Sequence, residues 1–265
     1  MPTFEVAGAE LNYRRDGAAG ACFVLVHEIG GTLESWAAVA PLLADKFQVI
    51  SYDQRGAGAS SRIAGDFSID TQVDDLRALI ERLASPPCHV AGVAIGAALA
   101  ARLAARHPEL VQSLVLACPA PSVDAARVEY LAQRAAQVER EGMPATVDGS
   151  LANSYPPEVR RDPAVFSAYR ARFLANDPKS YAAINRAFAR FDATPDLAAI
   201  RCPTLVLAGT HDRLRLPDFV RGVAAKIPGA QYGEIDSGHI MPVQAPQALA
   251  KAMLAFYDSV AAKAP

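Results

Sequence analysis

Several features are missing or scarce in this chain, and each absence narrows what it does. Positive charge is not in excess: 26 Lys and Arg stand against 28 Asp and Glu, a formal net charge of −2. There is therefore no basic footprint for nucleic acid or an anionic membrane. No uninterrupted apolar run is long enough to span a bilayer. The stretch Met1-Pro2-Thr3-Phe4-Glu5-Val6 lacks the charged-then-apolar order of a secretion signal and reads as entering a strand directly, so a cytoplasmic location is expected. Cysteine is sparse: Cys22, Cys88, Cys118 and Cys202 are widely scattered, with no C-x-x-C and no metal-ligand spacing. Each sits at the edge of a predicted strand, the setting of a buried free thiol rather than of a disulfide. The expected partner is a small-molecule substrate, without metal or cofactor and with a homodimer left open.

What is present suits a large core. Of 265 residues, 51% are hydrophobic and 20% charged, the balance of a compact globular chain. A hairpin is predicted at 4–6 and 11–15, then apolar strands at 23–27, 47–52, 88–91, 114–117, 204–208 and 231–235. Helical stretches alternate with them: 33–43 with Thr32 as cap and an early end or kink at Pro41, then a run from Ser68 with Val73, Leu76, Leu79, Ile80 and Leu83 at helix spacing. Further helices are predicted at 97–107, 219–227 and 246–261. Strand-helix alternation argues a parallel, doubly wound sheet. Residues 122–195 differ in kind, being helical, rich in arginine and tyrosine, and broken at Pro144, Pro156-Pro157, Pro163 and Pro178. The division expected is a core of 1–121 and 196–265 with a helical cap at 122–195.

One stretch organises the chemistry. Gly92-Val93-Ala94-Ile95-Gly96 lies between a strand and a helix, the context of a nucleophile elbow, whose pattern is G-x-S-x-G. The outer glycines are present, but the serine position carries a methyl group. His27-Glu28-Ile29-Gly30-Gly31, Tyr52-Asp53-Gln54-Arg55-Gly56-Ala57-Gly58, Gly209-Thr210-His211-Asp212 and Gly238-His239 accompany it in order.

Together these motifs resemble the α/β-hydrolase superfamily over nearly the whole chain, and within it the 3-oxoadipate enol-lactonase branch. The resemblance implies an α/β-hydrolase fold: a mostly parallel eight-stranded sheet with flanking helices and a helical cap insertion. It implies Ala94 at the nucleophile position, His239 as catalytic histidine and Asp212 as the acid that orients it. Backbone N–H groups of Ile95 and Ile29 would form the oxyanion hole, where side-chain identity matters little, with Gly30 letting the loop approach the elbow. His27 belongs to the same substrate-binding loop and is expected to hold it. Glu28 stands where many relatives have glycine and resembles the glutamate of dienelactone hydrolases that contacts the nucleophile. It either works as acid or base in the site, or turns away to backbone amides or Arg55.

Ala94 leaves three readings. It is an engineered knockout of a serine hydrolase; or it is natural and a His239–Asp212 dyad activates water directly; or the fold serves a cofactor-free dioxygenase, a lyase or a binding descendant. The alanine-bearing elbow resembles that of the aminoacrylate and carbamate hydrolases of pyrimidine degradation, which favours the second. A small acid bearing an ester, enol-lactone, enamine or carbamate is the expected substrate. Arg127, Arg134, Arg170, Arg172, Arg186 and Arg190 are candidates for its carboxylate, with helix-face exposure the blander role. Trp36, Tyr155, Tyr169, Tyr181 and Phe188 are candidates for the pocket roof, and His211 is a weaker site candidate. His89 and His107 read as structural, as do Asp53 and Arg55.

Overall fold

The computed structural model describes residues 2–17 and 20–262; Met1, counted in the N-terminal stretch above, lies outside them. Among these, eight strands form one sheet: β1 (Thr3–Val6), β2 (Ala9–Asp16), β3 (Cys22–Val26), β4 (Gln48–Tyr52), β5 (Cys88–Val93), β6 (Val111–Ala117), β7 (Thr204–Gly209) and β8 (Gln231–Ile235). Their spatial order is β1-β2-β4-β3-β5-β6-β7-β8. β1 and β2 pair antiparallel, as do β2 and β4; all later pairings are parallel.

The helices are α1 (Ala40–Leu43), α2 (Ile69–Leu83), α3 (Ile95–Arg106), α4 (Ala125–Glu141), α5 (Pro144–Ser154), α6 (Pro163–Leu174), α7 (Pro178–Phe188), α8 (Pro217–Ala224), α9 (Met241–Gln244) and α10 (Pro246–Ala261). Residues of α2, α3 and α8 cover one face of the sheet, and those of α1 and α10 the other. With both faces covered, β3, β5 and β7 are buried along their whole length, which is why they read as unbroken apolar runs. Between β6 and β7 come α4 to α7, with a small core of their own around Val138, Leu151, Tyr155, Tyr169 and Phe173.

Proline shows where sequence and structure part. Pro144, Pro163 and Pro178, read as breaks, each lie in the first turn of a helix. There the missing N–H costs nothing and the fixed φ suits the helix. Asp162 and Asp177 cap α6 and α7 by accepting from backbone amides. The single helix predicted at 33–43 is two short pieces, a 3-10 turn Leu33–Trp36 and α1, with Pro41 opening α1 rather than ending anything. Thr32 caps the first piece, as predicted. The helix predicted at 219–227 instead runs Pro217–Ala224. All four cysteines are free; Cys22, Cys88 and Cys118 are buried, and Cys202 is partly exposed.

Strand order reverses at β3, whose neighbours are β4 on one side and β5 on the other. In open α/β sheets the crevice beyond the strand ends at such a point is where ligands bind. The chain leaving β3 there carries Glu28 and Ile29, and the chain leaving β5 carries Ala94.

Candidate active site

Ala94 is the sharpest feature of the crevice. Its backbone is at φ 55, ψ −116, a conformation that L residues rarely adopt and that costs about 1–3 kcal/mol. The turn is held from β6: Ala94 N–H donates to the Ala117 carbonyl at 3.0 Å, and the Ala94 carbonyl accepts from Ala120 N–H at 3.2 Å. The flanking glycines are steric necessities. A Cβ on Gly92 would overlap the Gly96 backbone, and one on Gly96 would overlap the carbonyls of Val26 and His27. This is the strained strand-to-helix turn that presents a nucleophile, here presenting a methyl group.

His239 and Asp212 come from the loops after β8 and β7. His239 Nδ1 donates to Asp212 Oδ2 at 2.7 Å, leaving Nε2 as the lone-pair nitrogen. Asp212 Oδ1 accepts from the N–H groups of Leu214 at 2.7 Å and Arg215 at 3.0 Å. Burial pushes the Asp212 carboxyl up, but the His239 ring and these amides outweigh it and hold it below its ordinary value. The backbone N–H of His239 donates to the Ser154 carbonyl of α5 at 3.1 Å, so the inserted helices help fix this loop.

Ala94, Ile95, Ile29, Glu28 and His239 all line one cavity of roughly 630 Å³, its open mouth included. Among the described residues the backbone N–H groups of Ile29 and Ile95 have no hydrogen-bond partner. Ile95 opens α3, where the first amides lack intrahelical acceptors.

Glu28 takes neither of the alternatives expected for a residue turned away. Its Oε1 accepts from Ser35 Oγ and from the Tyr169 hydroxyl, both at 2.8 Å, and its Oε2 is buried in the described structure without a partner. Burial and the Glu28 charge push the Tyr169 phenol well above its ordinary value, so it stays an O–H donor. Arg55 is engaged elsewhere, pairing Asp75 through Nε and Nη2 at 2.9 and 2.8 Å. Asp53 binds Asn12 Nδ2 and the amides of Leu33 and Ala59, which makes both residues the loop ties expected.

Other expected residues fall outside the cavity. His27 donates from Nδ1 to the Glu28 carbonyl at 2.7 Å and accepts at Nε2 from Gln54 N–H at 3.0 Å, so both ring nitrogens are spent on the loop. His27 and Gly30, expected among the substrate-binding residues, are not among those that line the cavity. Gly30 is pressed under Phe173, at φ 80, and its carbonyl accepts from Asn176. His211 pairs Asp236 at 3.0 Å on the surface, so it is no part of the site. Of the expected roof, Tyr169 and Phe188 line the cavity, whereas Trp36 packs beneath the opposite sheet face and Tyr155 and Tyr181 belong to the inserted helices' core.

Sequence reasoning missed Cys118, Asn185 and Arg215. Cys118, Asp212 and His239 place potential metal-binding atoms within 4.8 Å of one another. The set suits a proton donor better than a metal ligand: burial and then the Asp212 charge push the thiol well up, and Sγ donates to the Gly238 carbonyl at 3.6 Å. Asn185 and Arg215 line the cavity from separate segments, and no local motif marks them.

The chain's relatives share this fold. The family model for the alpha/beta hydrolase fold matches residues 22–246. A protein named carbamate hydrolase RutD, from Azorhizobium caulinodans, is 31% identical over 98% of this chain and 99% of its own length. A protein named non-heme bromoperoxidase BpoC, from Mycobacterium tuberculosis, is 32% identical over 93% of this chain and 97% of its own. The crystal structure of the enol-lactonase from Burkholderia xenovorans LB400 superposes with a TM-score of 0.92 at 31% identity, covering 97% of this chain and all of that one. By sheet order, motifs and relatives together, the chain belongs to the α/β-hydrolase family and is a hydrolase.

Proposed function

We propose that this enzyme hydrolyses a small ester, enol-lactone, enamine or carbamate by direct attack of water, without a covalent intermediate. One observation carries the reading: His239, paired with Asp212 at 2.7 Å, lines one cavity together with Ala94 and with Ile29 and Ile95, whose amides have no acceptor among the described residues. In an ester, enol-lactone or carbamate, a carbonyl oxygen facing Ile29 and Ile95 would meet two donors with no acceptor of their own. Water occupies the room a serine oxygen would have taken. Its oxygen bonds to the carbonyl carbon, its proton passes to His239 Nε2, and the carbonyl electron pair becomes an oxyanion held by the amides. Asp212 stabilises the resulting imidazolium. Collapse breaks the bond to the leaving group, which takes the proton back from His239.

Two relatives support the substrate class, since one carries a carbamate hydrolase name and one an enol-lactonase name. Magnitudes favour an activated substrate. Oxyanion hole and binding alone leave about 10³–10⁴-fold over water in a triad lacking a member, and a general base adds about 10²–10⁴-fold. An inert amide lies beyond that reach. Presteady-state hydrolysis of para-nitrophenyl acetate tests the mechanism. Turnover without a burst, and with no acylated protein in the mass spectrum, is expected. Turnover only in Ala94→Ser would show that the serine is required and would refute direct water attack.

A further inference from the structure

Asn185 brings an unspent hydrogen-bond acceptor to the cavity. It lies on α7, is fully buried, and lines the cavity from the inserted helices. Its Nδ2 donates to the Tyr181 carbonyl, one turn back on the same helix, at 2.7 Å. A carbonyl oxygen can only accept, so this contact fixes which end of the amide is which and turns Oδ1 away from its own backbone. Among the described residues Oδ1 has no partner. A buried amide oxygen without a donor is costly, so on a cavity wall it marks the kind of group the cavity is shaped to receive.

Helix α5 adds acceptors of the same kind. Ser150 and Ser154 stand one turn apart on one helix face, and both line the cavity. Their protons are spent inside the helix: Ser150 Oγ donates to the Thr146 carbonyl at 2.7 Å, and Ser154 Oγ to the Ser150 carbonyl at 2.9 Å. Each keeps lone pairs but has no O–H left to offer a ligand. Arg127, Arg134 and Arg215 line the same cavity, with Glu28 its one acidic lining residue. That balance repels an ammonium, so the donor these oxygens suit is a neutral one. Glu28 Oε2 is the other unpartnered acceptor on a lining residue, and it belongs to the loop that carries Ile29 rather than to the inserted helices.

We propose that Asn185 Oδ1 is a specificity-determining acceptor, taking a neutral N–H or O–H of the substrate. The inference rests on the hydrolase reading only for where the reacting group lies, and it sorts the substrates which that reading admits. A carbamate unsubstituted at nitrogen carries the donor in its own functional group, as does an enamine with a free amino group. A plain ester or enol-lactone lacks one and leaves the Asn185 oxygen unmet. A site built around a substrate donor rejects the analogue without it far more strongly than an apolar pocket rejects one methylene.

Ligand-observed NMR titration of the intact protein with two isosteric pairs tests it: propyl carbamate against propyl acetate, and propyl glycolate against propyl propanoate. In each pair an amino or hydroxyl group replaces a methyl. At least one donor-bearing ligand is expected to bind about tenfold or more tightly than its match. A preference in the carbamate pair identifies an N–H donor, and one in the glycolate pair an O–H donor. Asn185→Leu, checked for an unchanged melting curve, is expected to bring the ratio to about twofold or less. Asn185→Ala removes the same oxygen if the leucine variant does not fold, and the parent comparison needs no variant. Glu28→Gln is expected to keep the ratio. Equal affinity within both pairs, a ratio that survives the loss of Asn185, or a ratio lost only in Glu28→Gln would overturn the assignment. Failure of the water-attack mechanism reads differently: the donor-bearing ligand still binds more tightly, and no ester is turned over without a serine at position 94.

Discussion

Position 94 shows what a single residue imposes. Its positive φ is a property of the turn, so the strain remains although the serine that would justify it is absent. Ala94→Gly is expected to raise stability by about 1 kcal/mol, the strain relieved being larger than the entropy added to the unfolded chain. Thermal melting checks this, and a lower melting temperature would mean the turn is unstrained. Glu28 makes the opposite kind of demand, since one of its oxygens is satisfied twice and the other not at all. If Oε2 helps hold the attacking water, Glu28→Gln lowers kcat about tenfold or more while KM changes little. Tyr169→Phe removes one donor to Oε1 and is expected to cost about 1–3 kcal/mol in denaturant unfolding. Of the residues that motif order exposed, Ala94, His239 and the two isoleucines line one cavity, and Asp212 is bonded to His239 behind it. Asn185 and Arg215 on the cavity wall, and Cys118 beside the dyad, were invisible because tertiary packing alone brings them there, from segments scattered along the chain.

At the scale of elements, the inserted helices do more than roof the cavity. Tyr169 reaches Glu28 and Asn176 reaches the Gly30 carbonyl at 2.9 Å, so α6 and the turn after it grip the loop on both sides of Ile29. The Ser154 carbonyl holds the His239 amide. Asn176→Ala is therefore expected to lower kcat more than it raises KM, by loosening the Ile29 amide rather than the substrate's binding wall. An unchanged kcat with this loop intact by hydrogen exchange would remove that link. The strands were legible because burial on both faces forces continuous apolar sequence, as in β3 and β5. Helix boundaries among residues 122–195 were not, because proline both breaks and begins helices, and only the capping aspartates distinguish the two. The piece at 33–43 failed for a related reason: Thr32 and Pro41 are two separate starts read as the start and end of one helix.

For the whole molecule, acid sensitivity is fixed by groups far from the cavity as well as in it. His89 on β5 donates to or accepts from Ser113 Oγ at 2.7 Å and is packed among the rings of Phe23, Phe47 and Tyr257. Burial lowers it from 6.5 to about 4. The unfolded chain then binds the extra proton first, so stability present above about pH 6.5 is lost as pH falls towards 4, by an amount on the order of 3 kcal/mol. Asp212, held low in the fold, adds a loss of the same sign below its ordinary 3.8. Melting curves from pH 7 to pH 4 (roughly the window of His89 titration) should fall steadily, and His89→Gln should flatten them. Direct attack of water, with a methyl where the nucleophile belongs, is the proposed mechanism. It is tested most directly by kcat/KM of the protein as it stands and of His239→Ala, on one activated small ester. The expected result is turnover that falls about 10²-fold or more in His239→Ala; equal rates in the two proteins would contradict it.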